Sequence, residues 1–140
     1  MRRKINVTDF PTTRPVVAAA LVGDDGRILM HRRRLGGDQG GLWEFPGGKI
    51  EARESPVSAL IRELGEELGI AVQPRDLAPV AAASEAGNAY VILLYTCRRW
   101  SGRPVCLEGE AIAWVPLDEL ATLPMPPLDV PLARALIAAI

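Results

Sequence analysis

The stretch from residue 48 to residue 70, GKIEARESPVSALIRELGEELGI, constrains the fold most strongly, because it predicts one long helix with two different faces. Its apolar residues recur at helical spacing, namely Val57, Leu60, Ile61, Leu64 and Leu68. Ser55 is a good N-cap, Pro56 suits the first helical position, and Gly69 is placed to end the helix. We therefore predict a helix from residue 55 to residue 69 that buries its apolar face.

The opposite face of this helix carries several charged residues. At about 100° per residue, one arc of roughly 140° contains Arg62, Glu63, Glu66 and Glu67. A solvent-exposed acidic face with an Arg62 to Glu66 ion pair, worth about 0.3–0.5 kcal/mol, would be the ordinary explanation. Yet Gly65 in the helix interior costs about 1 kcal/mol relative to Ala, and like charges one turn apart repel. Carboxylates gathered at such a cost suggest oxygen ligands for a hard divalent cation such as Mg²⁺.

The rest of the chain predicts strands and helices in mixed order. Apolar runs over residues 16–22 and 28–30 flank the acidic turn GDDG and predict a hairpin. Further strands are predicted over residues 77–83, 89–97, 105–107 and 111–115, and LDEL predicts a single helical turn before a final helix that starts at Asp129. Because AYVILLYTC is almost continuously apolar, we expect it in the centre of a sheet. This order favours an α/β sandwich with helices on opposing faces of a mixed sheet.

A glycine-rich basic loop, HRRRLGGDQGG, precedes the acidic helix. Its arginines, Arg32, Arg33 and Arg34, could simply be solvated, but a metal site that holds polyphosphate also needs cations on the phosphate oxygens. The turn that follows contains Gly47 and Gly48, which allow the backbone to approach a ligand closely.

Length and composition predict an ordinary globular protein. A chain of 140 residues suits one domain, which we assign to residues 16–140 after an N-terminal arm of residues 1–15. A net charge of -1 argues against binding of polymeric nucleic acid and is compatible with a small phosphorylated ligand. Cys97, Cys106 and His31 have no metal-ligand spacing, and two cysteines make no disulfide framework. A helix needs about 20 apolar residues to span a bilayer, and no apolar run is nearly that long. We therefore expect no membrane association and a cytoplasmic location.

Three elements of the acidic stretch match a known signature at every fixed position: Gly48, Glu54 and the run RELGEELGI from residue 62 to residue 70. This arrangement resembles the Nudix box of the Nudix hydrolases. The flanking segments WEFPGGKIE and RRWSGRPVCLEGEAIAWVPLDEL resemble the MutT-like branch of that family, so the resemblance covers roughly residues 16–137. It implies the Nudix fold, an α/β/α sandwich with a mixed β-sheet, and cleavage of a nucleoside diphosphate linked to another group.

The resemblance also implies roles for individual residues. Glu66 and Glu67 would bind Mg²⁺, which Mn²⁺ could replace, and Glu63 would be a further ligand or the general base. Arg62 would orient the carboxylates by ion pairing, and Glu54 would hold the preceding loop or a second metal ion. Two more ligands are implied by position, the carbonyl of Gly47 and the side chain of Glu108, although Glu108 is equally well explained as an ordinary turn residue.

Substrate-binding residues follow from the same comparison. Arg33, and with less support Arg32, would bind phosphate, and the backbone at Gly48 would lie close to the substrate. Phe45 could pack against the base or belong to the core. Asp129 would either read the base or cap the final helix, and both roles are compatible. A carboxylate suits an exocyclic amine, and in the family Asp at this position occurs in enzymes that hydrolyse cytidine triphosphates, whereas the MutT type proper has an amide.

We therefore expect a pyrophosphohydrolase of nucleoside triphosphates that binds a small nucleotide and acts as a monomer or homodimer. The first expected substrate is 8-oxo-dGTP and the second is (d)CTP or a modified cytidine triphosphate. ADP-ribose or a dinucleotide polyphosphate ranks third. A non-catalytic module that senses a nucleotide is the alternative from another class. The intact acidic set of Glu63, Glu66 and Glu67 speaks against it, because a sensor has no need to keep these three together.

Overall fold

The computed structural model describes residues 13–140, so residues 1–12, which make up most of the predicted N-terminal arm, lie outside the described residues. The strands are β1 (Arg14–Leu21), β2 (Ile28–Arg32), β3 (Trp43–Glu44), β4 (Gly47–Lys49), β5 (Leu77–Ser84), β6 (Tyr90–Cys97) and β7 (Ala111–Val115). The helices are α1 (Pro56–Leu68), α2 (Leu117–Leu120) and α3 (Asp129–Ala139), and a 3₁₀ turn covers Pro74–Asp76. The first strand thus begins two residues before the predicted domain boundary.

Two sheets form the centre of the fold. The larger has the order β4-β1-β6-β5, in which β1 runs parallel to β6 and antiparallel to β4. The smaller is antiparallel, with the order β3-β2-β7. The prediction that AYVILLYTC is central is confirmed, because β6 is paired on both sides, with β1 and with β5.

Helices cover both faces of the larger sheet, because the buried residues of β1 that point to either face are apolar. Val17, Ala19 and Leu21 pack into a core with the apolar face of α1. Ala18 and Ala20 point the other way into a second core with α3. Burying a leucine of either helix contributes about 1.5–3 kcal/mol. The predicted α/β/α sandwich with a mixed sheet is confirmed.

The acidic helix also forms where it was predicted. The Ser55 hydroxyl accepts a hydrogen bond from the N–H of Ser58 at 3.1 Å, which caps α1. At the other end the N–H of Gly69 donates to the carbonyl of Gly65 at 3.0 Å. No helix among residues 13–140 is both long enough and apolar enough to cross a membrane.

The predicted hairpin of β1 with β2 is wrong, since the two strands belong to different sheets. Only the turn between them is closed, by a bridge between Val22 and Ile28 and by the N–H of Gly23 donating to the carbonyl of Arg27 at 2.9 Å. The reason is that both edges of β1 are already occupied, one by β4 and the other by β6.

The predicted strand over residues 105–107 is also wrong. These residues belong to an irregular segment, residues 101–110, which we call the strap. The N–H groups of Val105 and Leu107 donate to the carbonyls of Leu68 and Glu67, at 3.0 and 2.9 Å. The strap therefore satisfies carbonyl groups that α1 leaves unpaired at its C-terminal end.

Candidate active site

One arginine orders the acidic face of α1. Arg62 donates two hydrogen bonds to Glu54, at 2.8 and 2.9 Å, and one each to Glu63 at 3.0 Å and Glu66 at 3.3 Å. The hydrogen bonds from Arg62 lower the pKa of Glu54 to about 2. Glu54 also accepts the N–H of Glu51 at 2.9 Å, so the structure places Glu54 where it holds the preceding loop.

Glu67 is the buried member of the acidic set, with 8% of its surface exposed. Its Oε2 atom accepts the N–H of Gly47 at 3.2 Å and lies 3.6 Å from Nδ1 of His31. Burial, and to a smaller extent the charge of Glu63, raises the pKa of Glu67 to about 8. This carboxyl group is therefore poorly solvated and would gain from a nearby cation.

Glu63 packs against the backbone of β4. A Cβ atom at Gly48 would overlap the Glu63 carboxylate, so only a glycine leaves room for this side chain. Burial raises the pKa of Glu63, and the hydrogen bond from Arg62 opposes that rise. Glu66 is more exposed, with 52% of its side-chain surface accessible.

These groups suit a divalent cation in their chemistry. Within residues 13–140, no three His, Cys, Asp or Glu side chains already stand together as a metal site, and oxygens of Glu63 and Glu66 are hydrogen-bonded to Arg62. However, every carboxylate offers the oxygen donors that Mg²⁺ prefers, and a cation would relieve the burial and repulsion that raise the pKa values of Glu63 and Glu67. The donor set therefore fits such an ion. Gly47 contacts this site through its N–H, which donates to Glu67. Metal binding by its carbonyl stays a prediction.

Glu108 lies in the strap, close to the acidic set. Its backbone carbonyl accepts a hydrogen bond from Nε2 of His31. Its side chain is exposed and lines a shallow groove with His31, Arg33 and Arg34. The negative charge of Glu108 makes a small contribution to the raised pKa values of Glu63 and Glu67. Its predicted place near the carboxylates fits this arrangement, and metal binding by its side chain stays a prediction.

A cleft of about 520 Å³ lies on the other side of β4. All three β4 residues line it, and each also contacts Arg62 or a glutamate of α1. Gly47 donates to Glu67, Gly48 packs on Glu63, and the carbonyl of Lys49 accepts a hydrogen bond from Arg62 at 3.1 Å. The backbone of β4 thus joins the acidic face to a cavity large enough for a small ligand.

Asp129 is buried in the wall of this cleft, 4% exposed, although it is a charged residue type. Its Oδ2 atom accepts the N–H of Phe45 at 3.1 Å. The predicted N-cap role is wrong, because Leu128 is the N-cap of α3 and no side chain caps that helix. Burial raises the pKa of Asp129 to about 7, which the Phe45 N–H partly opposes. Asp129 therefore presents a buried carboxyl group, held by the backbone of Phe45, at the wall of the cleft.

Of the predicted substrate residues, Arg33 lines the cleft and Arg32 does not. Arg33 pairs with Glu44 at 2.9 Å and donates to the carbonyl of Asp38 at 3.0 Å. Arg32 instead donates to the carbonyl of Gly41 at 3.1 Å and so anchors the basic loop. Phe45 is 3% exposed and belongs to the core, so it contributes its backbone to the cleft and not a stacking ring.

The site and its cleft also contain residues that were not predicted, among them His31, Lys49 and Tyr90. His31 contacts Glu67, while Lys49 and Tyr90 line the cleft with the Lys49 ammonium 5.7 Å from the centre of the Tyr90 ring. A single histidine has no spacing pattern that could reveal its partner. Lys49 directly follows the PGG turn, and this position was the one available signal.

Comparisons with known proteins agree with this geometry. The sequence model of the NUDIX domain matches residues 12–138. The chain is 36% identical to the CTP pyrophosphohydrolase of Escherichia coli over 122 residues, which cover 87% of this chain and 90% of that protein. It is 33% identical to the 8-oxo-dGTP diphosphatase of Haemophilus influenzae, with 86% and 90% covered. A solved structure from work on MutT of Aliivibrio salmonicida and Vibrio cholerae superposes with a TM-score of 0.81 at 30% identity, covering 92% of this chain and 100% of that one.

Proposed function

The chain belongs to the NUDIX family as a MutT-like Nudix hydrolase, and on this premise we propose that it hydrolyses a nucleoside triphosphate to the monophosphate and pyrophosphate with Mg²⁺. The observation that carries the proposal is the double contact of β4. Its backbone holds Glu67 and Glu63 on one side and lines the ligand-sized cleft on the other. A nucleotide in the cleft would thus place its phosphates beside the carboxylates.

Glu66 and Glu67 would hold the metal ion, with the Gly47 carbonyl and Glu108 as further ligands by position. When bound, a divalent cation neutralises phosphate oxygens and makes phosphorus easier to attack. Glu63 is our candidate for the general base, because it packs directly on the cleft wall and its raised pKa makes it a better proton acceptor than an ordinary glutamate. It would take the proton of the attacking water at a carboxylate oxygen.

Arg33 would bind a phosphate group of the substrate. Its guanidinium lines the cleft and now pairs with Glu44, with 34% of its side chain exposed. A phosphate offers more negative charge and more acceptor oxygens than one carboxylate, so it can displace Glu44 from this pair. Arg32 supports the site indirectly by anchoring the loop that carries Arg33.

We propose 8-oxo-dGTP as the substrate, in line with the activity for which the Haemophilus influenzae relative is named. Asp129 would contact the base, since its carboxyl group is the buried ionisable group in the cleft wall. An ionised carboxylate accepts hydrogen bonds from the ring N–H and the amine of a guanine-type base. The second candidate is (d)CTP, because the same carboxyl group also suits the exocyclic amine of cytosine and the Escherichia coli relative is a CTP pyrophosphohydrolase.

A nucleotide panel tests this proposal. The purified protein is incubated with Mg²⁺ and 8-oxo-dGTP, dGTP, dCTP, CTP, ADP-ribose or a dinucleotide polyphosphate, and the products are separated by ion-exchange chromatography. We expect pyrophosphate and a nucleoside monophosphate from 8-oxo-dGTP, and loss of both with EDTA. Mn²⁺ in place of Mg²⁺ tests the choice of metal.

The control is a glutamate outside the site. Glu63→Gln and Glu67→Gln should lose most turnover, while Glu119→Gln, an exposed residue of α2, should keep it. Release of product from ADP-ribose alone would contradict the proposed substrate class. No release from any nucleotide would overturn the proposal in favour of a nucleotide sensor.

A further inference from the structure

His31 lies between the strap and the acidic face. It is the single histidine of the chain and is 5% exposed in β2. One ring nitrogen, Nε2, is hydrogen-bonded to the backbone carbonyl of Glu108, and the other, Nδ1, is 3.6 Å from Oε2 of Glu67. A buried polar ring is thus placed directly between a backbone group and a candidate metal ligand.

The position of the ring is fixed from several sides. A carbonyl oxygen can only accept, so Nε2 carries the hydrogen and donates it to Glu108. A Cβ atom at Gly109, where φ is +83°, would overlap Nε2, so the strap approaches the ring as closely as a glycine allows. β2 is paired on both sides at this point, with Glu44 of β3 and Ile112 of β7 opposite His31. Nδ1 is therefore directed at Glu67 by the surrounding backbone.

Oε2 of Glu67 has two polar neighbours: it accepts the N–H of Gly47 at 3.2 Å and lies 3.6 Å from Nδ1 of His31, slightly beyond hydrogen-bond distance. A glutamate side chain has three rotatable bonds, and ordering it for a ligand costs conformational entropy. Two neighbours on one oxygen restrict the rotation of the carboxylate before any ligand binds.

We propose that His31 is a positioning residue that orients the Glu67 carboxylate for the divalent cation. This inference rests on the proposed function, in which Glu67 binds the metal ion. Groups behind a metal ligand commonly change metal affinity or activity by about 10- to 100-fold when they are removed.

The competing role is structural, because His31 also anchors the strap through Glu108. Two amide variants, each of which reproduces the place of one ring nitrogen, separate the roles. In His31→Asn the side-chain amide occupies the place of Nδ1 and faces Glu67, but the Glu108 contact is lost. In His31→Gln the amide reaches the place of Nε2 and keeps the Glu108 contact, but nothing replaces Nδ1. An amide presents either a donor or an acceptor to Glu67, so the comparison holds for either protonation state of the carboxyl group.

The experiment measures Mn²⁺ binding to the nucleotide-free protein by electron paramagnetic resonance, together with kcat and KM on the nucleotide that the wild type uses. For His31→Gln we expect a Kd for Mn²⁺ and a kcat that are each worse by about tenfold, with KM for the nucleotide nearly unchanged. His31→Asn should stay close to the wild type in Kd and kcat. Thermal unfolding identifies any variant that fails to fold.

If Mn²⁺ affinity and kcat fall equally in both variants, or fall only in His31→Asn, the inference is overturned in favour of strap anchoring. Wild-type Kd and kcat values in both variants would also overturn it. If His31→Gln does not fold, His31→Leu takes its place, since Leu makes neither contact, and a Leu variant as active as Asn overturns the inference. Absence of turnover by the wild type would instead overturn the proposed function, and Mn²⁺ binding would still decide the role of His31.

Discussion

Arg62 binds Glu54 through two parallel hydrogen bonds, from Nε to Oε2 at 2.8 Å and from Nη2 to Oε1 at 2.9 Å. Its remaining nitrogen, Nη1, reaches Glu63 at 3.0 Å and Glu66 at 3.3 Å. Because the guanidinium is planar and its donors are fixed in direction, this arrangement sets the relative positions of three carboxylates.

Arg62→Lys should therefore impair turnover although it keeps the charge. An ammonium group cannot form the two parallel bonds to Glu54 while contacting Glu63, so the carboxylates lose their relative positions. We expect kcat to fall by roughly 10²-fold, the scale that a displacement of about 1 Å produces. Arg134→Lys on the exposed side of α3 is the matched control and should be silent. Equal kcat values for the two variants would show that the arrangement around Arg62 has no catalytic role.

Glu67 should make the metal-free protein less stable as pH rises. Its pKa is about 8 in the folded state, mainly because of burial, against an ordinary value of 4.5. Between these values the folded chain holds a proton that the unfolded chain releases, so the free energy of unfolding falls with increasing pH. Urea unfolding with EDTA should show this fall in the wild type and a weaker one in Glu67→Gln. Identical pH profiles for the two proteins would disprove the raised pKa.

Gly48→Ala should damage the site more than the fold. The added methyl group would overlap the Glu63 carboxylate, which must then leave the cleft wall. We expect a loss of kcat of about tenfold or more with a small decrease in melting temperature. Gly65→Ala is the matched control, since its Cβ would only contact the Ile70 carbonyl at 3.8 Å. That variant should be more stable by about 1 kcal/mol with unchanged kcat, and an inactive Gly65→Ala would contradict this separation of roles.

Base preference should depend on pH through Asp129, whose pKa burial raises to about 7. A guanine-type edge presents two donors and suits the ionised carboxylate, whereas cytosine presents one donor and one acceptor and suits the neutral acid. The ratio of kcat/KM for 8-oxo-dGTP to that for dCTP should therefore rise as pH passes through 7. In Asp129→Asn the ratio should no longer change with pH. A constant ratio in the wild type would exclude Asp129 from base recognition.

The sequence was most informative where structure depends on neighbouring residues. The bounds of α1 follow from the spacing of its leucines, from Ser55 and from Gly69. The central place of β6 follows from its apolar run. The detailed roles in the acidic set came from the resemblance to a family, since helical spacing alone leaves a solvated acidic face as an alternative.

What the sequence did not predict depends on contacts between distant segments. β1 and β2 are joined by a tight turn, yet β1 pairs with β4 and β6. The sequence allowed Asp129 as the cap of the final helix, yet Leu128 is the N-cap and the Asp129 carboxylate accepts the N–H of Phe45. His31 lies next to Glu67 only because β2 and α1 pack together, and no local sequence pattern predicts this contact.

The parallel pairing of β1 with β6, from Arg14 opposite Tyr90 to Leu21 opposite Cys97, joins segments separated by more than half of the chain. Such distant pairing slows folding, because a long loop must close before the contact forms. During synthesis the helix with the acidic face leaves the ribosome well before β6 does. Until then the sheet that buries the apolar side of this helix cannot be completed. A nascent chain that stops before Cys97 therefore carries Glu63, Glu66 and Glu67 without the sheet that aligns them, and it still lacks Glu108 and Asp129.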